Sequence, residues 1–192
     1  MKDQLWYSAV VRDRHGKVIA RERRRSRSFL KQWNQLMFVQ MTNAPLAGAD
    51  QIYDMNGVLK SIGEDDSNFR MESHNSYTGI MCGTGDTPVA IDDYQLEALI
   101  ANGSGAGQFQ NVGMAIIGDV ALDGSSAKFV VSRSPLNWSG GDITVKEIGI
   151  YCAMYVPPSA YYMCAVRDVL ETPLLVPDGG GITVDYTLAV AA

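Results

Sequence analysis

The chain has 192 residues, 46% of them apolar and 19% charged, with 16 Lys/Arg against 21 Asp/Glu and a formal charge of −5. This is the composition of a globular domain with its own core, and with no heptads and no repeats in the sequence a fibre shaft is disfavoured. No apolar run approaches the ~20 residues of a membrane-spanning helix, and the opening MKDQLWYSAVVRD has no apolar signal region after its lysine, so neither membrane insertion nor signal-peptide export is expected.

Leu5 to Val11 reads as a strand, Asp13-Arg14-His15-Gly16 as a turn and Val18 to Glu22 as the returning strand of a hairpin. Ser28 is placed to cap a helix from Phe29 to about Met41, with Phe29, Trp33, Leu36, Met37 and Met41 on one apolar face, and Asn43-Ala44-Pro45 stops it. Leu46 to Asn75 is polar and turn-rich, with Asn56-Gly57 marking a small hairpin, and is expected on the surface. Ser76 to Cys82 is a strand, followed by the loop Gly83-Thr84-Gly85-Asp86-Thr87-Pro88 and a short helical turn from Asp92 to Ile100, with Leu96 and Leu99 inward. After the loop Gly103 to Gly107, the segments Phe109 to Leu122, Ala127 to Ser134, Asp142 to Ala153, Tyr161 to Val166 and Ile182 to Val190 have strand character. The expected fold is one mainly β domain, an antiparallel β-sandwich with one N-terminal helix and a short second helix. Its parts are a hairpin plus helix over 1–43, a surface excursion over 44–75 and the sandwich core over 76–192.

Charge is unevenly placed. Between Arg12 and Lys31 lie nine of the sixteen basic residues, opposed only by Asp13 and Glu22, so this segment carries +7 and the rest of the chain −12. Basic side chains on an edge strand also guard against strand-to-strand aggregation. As a docking surface, Arg21, Arg23, Arg24, Arg25 and Arg27 are expected to meet an acidic protein surface, because guanidinium groups bond carboxylates in pairs. Nucleic acid is set aside, since no stacking aromatic is interleaved in the segment before Phe29 and Trp33, which the core uses.

Catalytic and metal signatures are weak. Cys82, Cys152 and Cys164 form no CxxC pair, and with only His15 and His74 there is no zinc spacing, so the thiols are expected to be buried and structural. The glycine loops lack the lysine of a phosphate-binding loop, and Glu64-Asp65-Asp66 and Asp92-Asp93 lack calcium-loop spacing. Glu72, Ser73 and His74 are close in sequence without a nucleophile elbow. Glu147, the principal strand carboxylate, is expected to pair with Arg133 or Arg167. No catalytic residue, metal or cofactor is therefore assigned.

Four segments carry a resemblance: Gly83-Thr84-Gly85-Asp86-Thr87-Pro88 with Asp92-Asp93-Tyr94-Gln95-Leu96; Ile143 to Tyr151; Val166-Arg167-Asp168-Val169-Leu170 with Pro173 and Val176-Pro177; and Ile182 to Thr187. Together with the opening hairpin and the Ser28-Phe29-Leu30 helix start, they resemble a family of small virion structural proteins of tailed bacteriophages. That resemblance implies a β-rich, non-enzymatic assembly protein, made in the host cytoplasm and located in the virion. It would be a multi-copy accessory protein of the tail, neck or capsid surface, with other virion proteins and copies of itself as partners. Trp138, Tyr155, Tyr161, Leu174 and Leu175, in loops and edges, are the expected apolar part of the interface. The alternative is a carbohydrate- or receptor-binding β-sandwich, with Trp138, Tyr155, Tyr161 and Tyr162 stacking on sugars.

Overall fold

The computed structural model describes residues 2–26, 28–42, 46, 51–62, 69–71, 77–111, 116–156 and 159–191. Their architecture is mainly antiparallel β with one helix, as two open sheets and a small hairpin. The first sheet is built on strand alternation. In β1 (Lys2–Arg12), Leu5, Tyr7, Ala9 and Val11 are buried while Gln4, Trp6, Ser8 and Val10 are half-buried on the other face. β14 (Gly181–Ala191) repeats the pattern with Ile182, Val184, Tyr186 and Leu188. These two strands pair along their whole length, from Lys2 opposite Ala191 to Arg12 opposite Gly181. β2 (Val18–Ser26) pairs with β1 and ends the sheet on that side. On the far side of β14 lies β10 (Ser126–Arg133), which in turn pairs with β8 (Ile116–Ile117) and β9 (Ala121–Asp123). The two-residue strands β7 (Phe109–Gln110) and β11 (Leu136–Asn137) complete it.

The second sheet is dominated by the long hairpin of β12 (Ile143–Val156) and β13 (Ser159–Val176), with β5 (Phe69–Arg70) and β6 (Gly79–Gly83) on the other edge of β12. Ile148, Ile150, Tyr151 and Cys152 are all fully buried, so β12 is covered on both faces at its centre. Residues 170–173 stand against Lys146 alone, a bulge that contains Pro173 on the sheet's edge strand, where a missing N–H costs no ladder bond.

One hydrophobic cluster takes side chains from both sheets, among them Leu5, Tyr7, Tyr186, Ile148, Ile150 and Val166. Polar links also cross between them. The Tyr186 hydroxyl donates to Asp168 at 2.9 Å, and Arg133 on β10 donates to the carbonyl of Thr78, just before β6, at 2.6 Å. Burial pushes the Asp168 carboxyl above its ordinary value, against the opposing effect of hydrogen bonds from Ser26, Ser28 and Tyr186.

The helix α1 (Lys31–Thr42) departs from the expected one in its start and in part of its face: Leu36 is buried and Phe29 and Trp33 pack on the core as expected, but Met41 does not. Phe29 forms a bridge with Val166 and the Leu30 amide donates to Ala165, so residues 28–30 run extended along β13. Ser28 accordingly bonds Asp168 and does not cap the helix. The buried positions are Gln32, Leu36 and Val39, and Met41 is 79% exposed. Gln32 turns inward because its amide donates to the carbonyl of Tyr53. That residue belongs to β3 (Ile52–Tyr53), which with β4 (Leu59–Lys60) forms the expected hairpin around Asn56-Gly57. The expected surface excursion is corrected in part, because Leu46, Ile52, Ile62 and Met71 belong to the core cluster. Pro45 lies outside the described residues.

Two further expectations are corrected. Asp92 to Ile100 forms turns and no second helix, and Phe109 to Leu122 is broken into β7, β8 and β9. Cys82, Cys152 and Cys164 are free and buried; burial pushes the Cys82 and Cys152 thiols up to about 12 and the Cys164 thiol higher still. Iodoacetamide at pH 8 is therefore expected to leave all three unmodified in the native protein for hours and to modify all three once it is unfolded. Fast native alkylation, read by mass spectrometry, would contradict their burial.

Candidate functional site

Two features stand out on this framework: a buried ion-pair cluster holding a surface loop, and an arginine-rich sheet face. The cluster gathers three of the four segments that carry the resemblance, those around Gly85 and Asp93, Glu147 and Arg167. Glu147, fully buried on β12, accepts the amides of Gly85 (3.1 Å), Ala98 (2.8 Å) and Glu97 (3.1 Å) and the Nε–H of Arg167 (2.8 Å). Arg167 comes from the facing position region of β13, opposite Gly149. Its remaining nitrogens donate to Asp93 at 2.7 Å and to the carbonyl and hydroxyl of Thr87 at 3.1 and 3.2 Å. Glu97 in turn accepts the amides of Asp86 and Thr87, both at 2.8 Å, and Lys146 bonds Asp86 at 2.7 Å.

The loop 84–98 is thus fastened to the sheet at several points. Burial opposes the Arg167 charge, but the bonds to Glu147 and Asp93 outweigh it and hold the guanidinium above its ordinary value. Glu97 is held below its ordinary value by the Thr87 amide and hydroxyl, and Asp86 by Lys146. Gly85 is required by close approach: a Cβ there would lie 2.7 Å from Glu147 Oε1 and 2.5 Å from the Glu97 Cβ. Of the two partners expected for Glu147, Arg167 is the one it has; Arg133 instead joins the sheets through Thr78. With four donors on its two oxygens, Glu147 is committed to holding the loop.

The second feature is the outer face of the first sheet. Arg21, Arg23 and Arg25 are exposed on β2, opposite Val10, Ser8 and Trp6 of β1. Arg23 lies over the Trp6 indole, 5.9 Å from the ring centroid. Arg24 has the opposite orientation: it pairs with Glu22 and Glu171. Glu22 also accepts the Tyr7 hydroxyl and the amides of Glu171 and Thr172 in the β13 bulge, at 3.3 and 3.2 Å. Of the five arginines expected to form the surface, Arg21, Arg23 and Arg25 share this face, Arg24 is exposed and paired with Glu22 and Glu171, and Arg27 lies outside the described residues. Trp6 is the residue that sequence reasoning missed. It is far from the arginines along the chain, and only the hairpin register brings it among them.

The expected apolar interface also divides. Trp138 is 52% and Leu175 49% exposed, whereas Leu174 is buried and Tyr161 packs on the core beneath the Lys60 ammonium, 4.4 Å from its ring centroid. Leu174 is buried because alternation along β13 turns it inward while Leu175 faces out. The side chain of Tyr155 lies outside the described residues, as do His74 and Glu64-Asp65-Asp66. Trp138 sits near Gly179, beside the open end of the β12–β13 hairpin, whereas Tyr161 and Tyr162 pair with Met154 and Ala153 near its other end. Roughly 30 Å of strand separates them, too far for one stacking platform.

A groove of about 730 Å³ opens between α1 and the first sheet, lined mainly by Phe29, Trp33, Met37, Met71, Phe129 and Leu188. Among the described residues no group of three or more His, Cys, Asp or Glu is placed to hold a metal ion, and no helix is long and apolar enough to cross a membrane. Comparison with protein-family models, curated proteins and solved structures returns no match.

Proposed function

We propose that the chain is a non-enzymatic structural component of a tailed-bacteriophage virion, a multi-copy accessory protein with its two sheets packed as a β-sandwich. The observation that carries this reading is the cluster around Glu147 and Arg167. Glu147, Arg167, Asp93 and Thr87 of the resembling segments, polar groups of the kind that in an enzyme would face a substrate, spend their hydrogen bonds on fixing the loop 84–98 to the sheet. A rigid loop of this kind supports assembly through preformed surfaces. Docking to copies or neighbouring virion proteins falls to the exposed apolar positions Trp138 and Leu175, since large apolar groups of this kind mark interfaces.

Immunogold labelling of intact particles is expected to find the chain on the virion at a symmetric set of positions. A variant with Trp138→Ser and Leu175→Ser should fold, as judged by circular dichroism, yet be depleted from particles at least tenfold. Absence of the wild-type chain from particles would overturn the proposal. Normal incorporation of the variant would move the interface elsewhere.

A further inference from the structure

We propose that the outer face of the β1–β2 hairpin binds single-stranded nucleic acid, with phosphates on Arg21, Arg23 and Arg25 and a base stacked at Trp6. The three guanidinium-bearing residues alternate along an edge strand, so they form a straight row at intervals of about 6.6–6.8 Å. Among the described side chains of β1, β2, β14 and β10, this face carries one carboxylate, Asp185. It is two strands from the arginines and accepts the hydroxyls of Ser8 and Ser132. The row is therefore not neutralised from its own face. With −12 on the rest of the chain, a polyanion is repelled by most of the molecule and attracted here, which orients its approach.

Trp6 decides between classes of polyanion. A carboxylate surface needs guanidinium groups alone, whereas single strands are held by a positive track combined with an aromatic on which bases stack. Trp6 stands directly opposite Arg25, with Arg23 on its ring, and its half-buried position fixes the indole in the sheet. Duplex grooves are disfavoured by topology. A two-stranded ribbon can enter a major groove, but β14 pairs with β1 along its full length, so this hairpin is the margin of a broad sheet. A flat face with an open edge suits a strand whose bases are unpaired.

The test is fluorescence anisotropy of a labelled 20-nucleotide oligothymidylate titrated with the full chain at several salt concentrations. Saturable binding is expected, weakening roughly 15–20-fold between about 50 and 200 mM salt, because three phosphate contacts on a single strand give a log–log slope of about −2. Replacing Arg21, Arg23 and Arg25 together with Gln should weaken binding at least tenfold and flatten the slope. Trp6→Thr should weaken it about tenfold with the slope unchanged, and Trp6→Tyr should restore most of the loss. Circular dichroism of each variant separates lost binding from lost folding. Absence of saturable binding by the wild type at low salt would overturn the proposal. So would displacement by polyglutamate at equal charge together with indifference to Trp6→Thr, which would assign the face to an acidic protein. Because the assay uses purified protein, its failure leaves the virion reading standing, and absence from particles leaves this one standing.

Discussion

Replacing Arg167 with methionine is expected to cost about 3–5 kcal/mol of stability, because it leaves Glu147 charged, fully buried and without its cation. For a chain of this size that corresponds to a fall of roughly 6–20 °C in Tm. The three amides of Gly85, Glu97 and Ala98 would still bond the carboxylate, but the loop would lose its ties through Asp93 and Thr87 as well. Glu147→Gln should also destabilise, since one carboxylate oxygen becomes a donor group facing donors. The double variant should lose less than the two single losses added together, as expected of residues in one network. Urea denaturation of the four proteins measures the cycle. A loss below about 1 kcal/mol for Arg167→Met would mean that the cluster is not what holds the loop.

Gly149→Ala is the second large effect. A Cβ at this position would lie 2.5 Å from the carbonyl oxygen of Val166 and 3.1 Å from Leu96 Cδ2, and the first of these neighbours is backbone in the paired strand. Relief requires β12 and β13 to separate beside Arg167, disturbing the ladder and the cluster together. A loss of about 2–3 kcal/mol is expected. Gly141 provides the control: it is exposed, and a Cβ there meets nothing within 4 Å, so Gly141→Ala should stay within about 0.5 kcal/mol of wild type. Equal stability of the two variants would contradict the close approach at Gly149.

The parts of this fold that were legible from sequence are those where one local signal determines the outcome. Leu5, Tyr7, Ala9 and Val11 alternate because one face of β1 is buried, and Asn56-Gly57 turns because Gly57 takes a φ of +73°. The Glu147–Arg167 pair was legible as a choice between two arginines, since a buried strand carboxylate demands a cation. What escaped depends on partners. Asp92 to Ile100 has helical spacing, yet the amides of Leu96, Glu97 and Ala98 go to the Tyr151 hydroxyl and Glu147, which removes the bonds a helix needs. Phe109 to Leu122 has strand character throughout, but β7 pairs with β11 while β8 and β9 pair with β10, and no pattern within the segment encodes that division. Trp6 joins the arginine row by the same kind of cross-strand event.

The full-length pairing of β1 with β14 also sets an order of events during synthesis. Strand β1 is made first, but the neighbour that flanks it opposite β2 is residues 181–191, and β14 is also the bridge to β10. At about 5–20 residues per second, the hairpin waits on the order of ten seconds or more for that partner. Through that interval its backbone donors and acceptors on the β14 side are open, together with the apolar row Leu5, Tyr7, Ala9 and Val11. Polysomes hold many such half-made chains close together, each able to pair with the next. The arginines on β2 give every waiting hairpin the same strong positive charge, so nascent neighbours repel each other until β14 arrives.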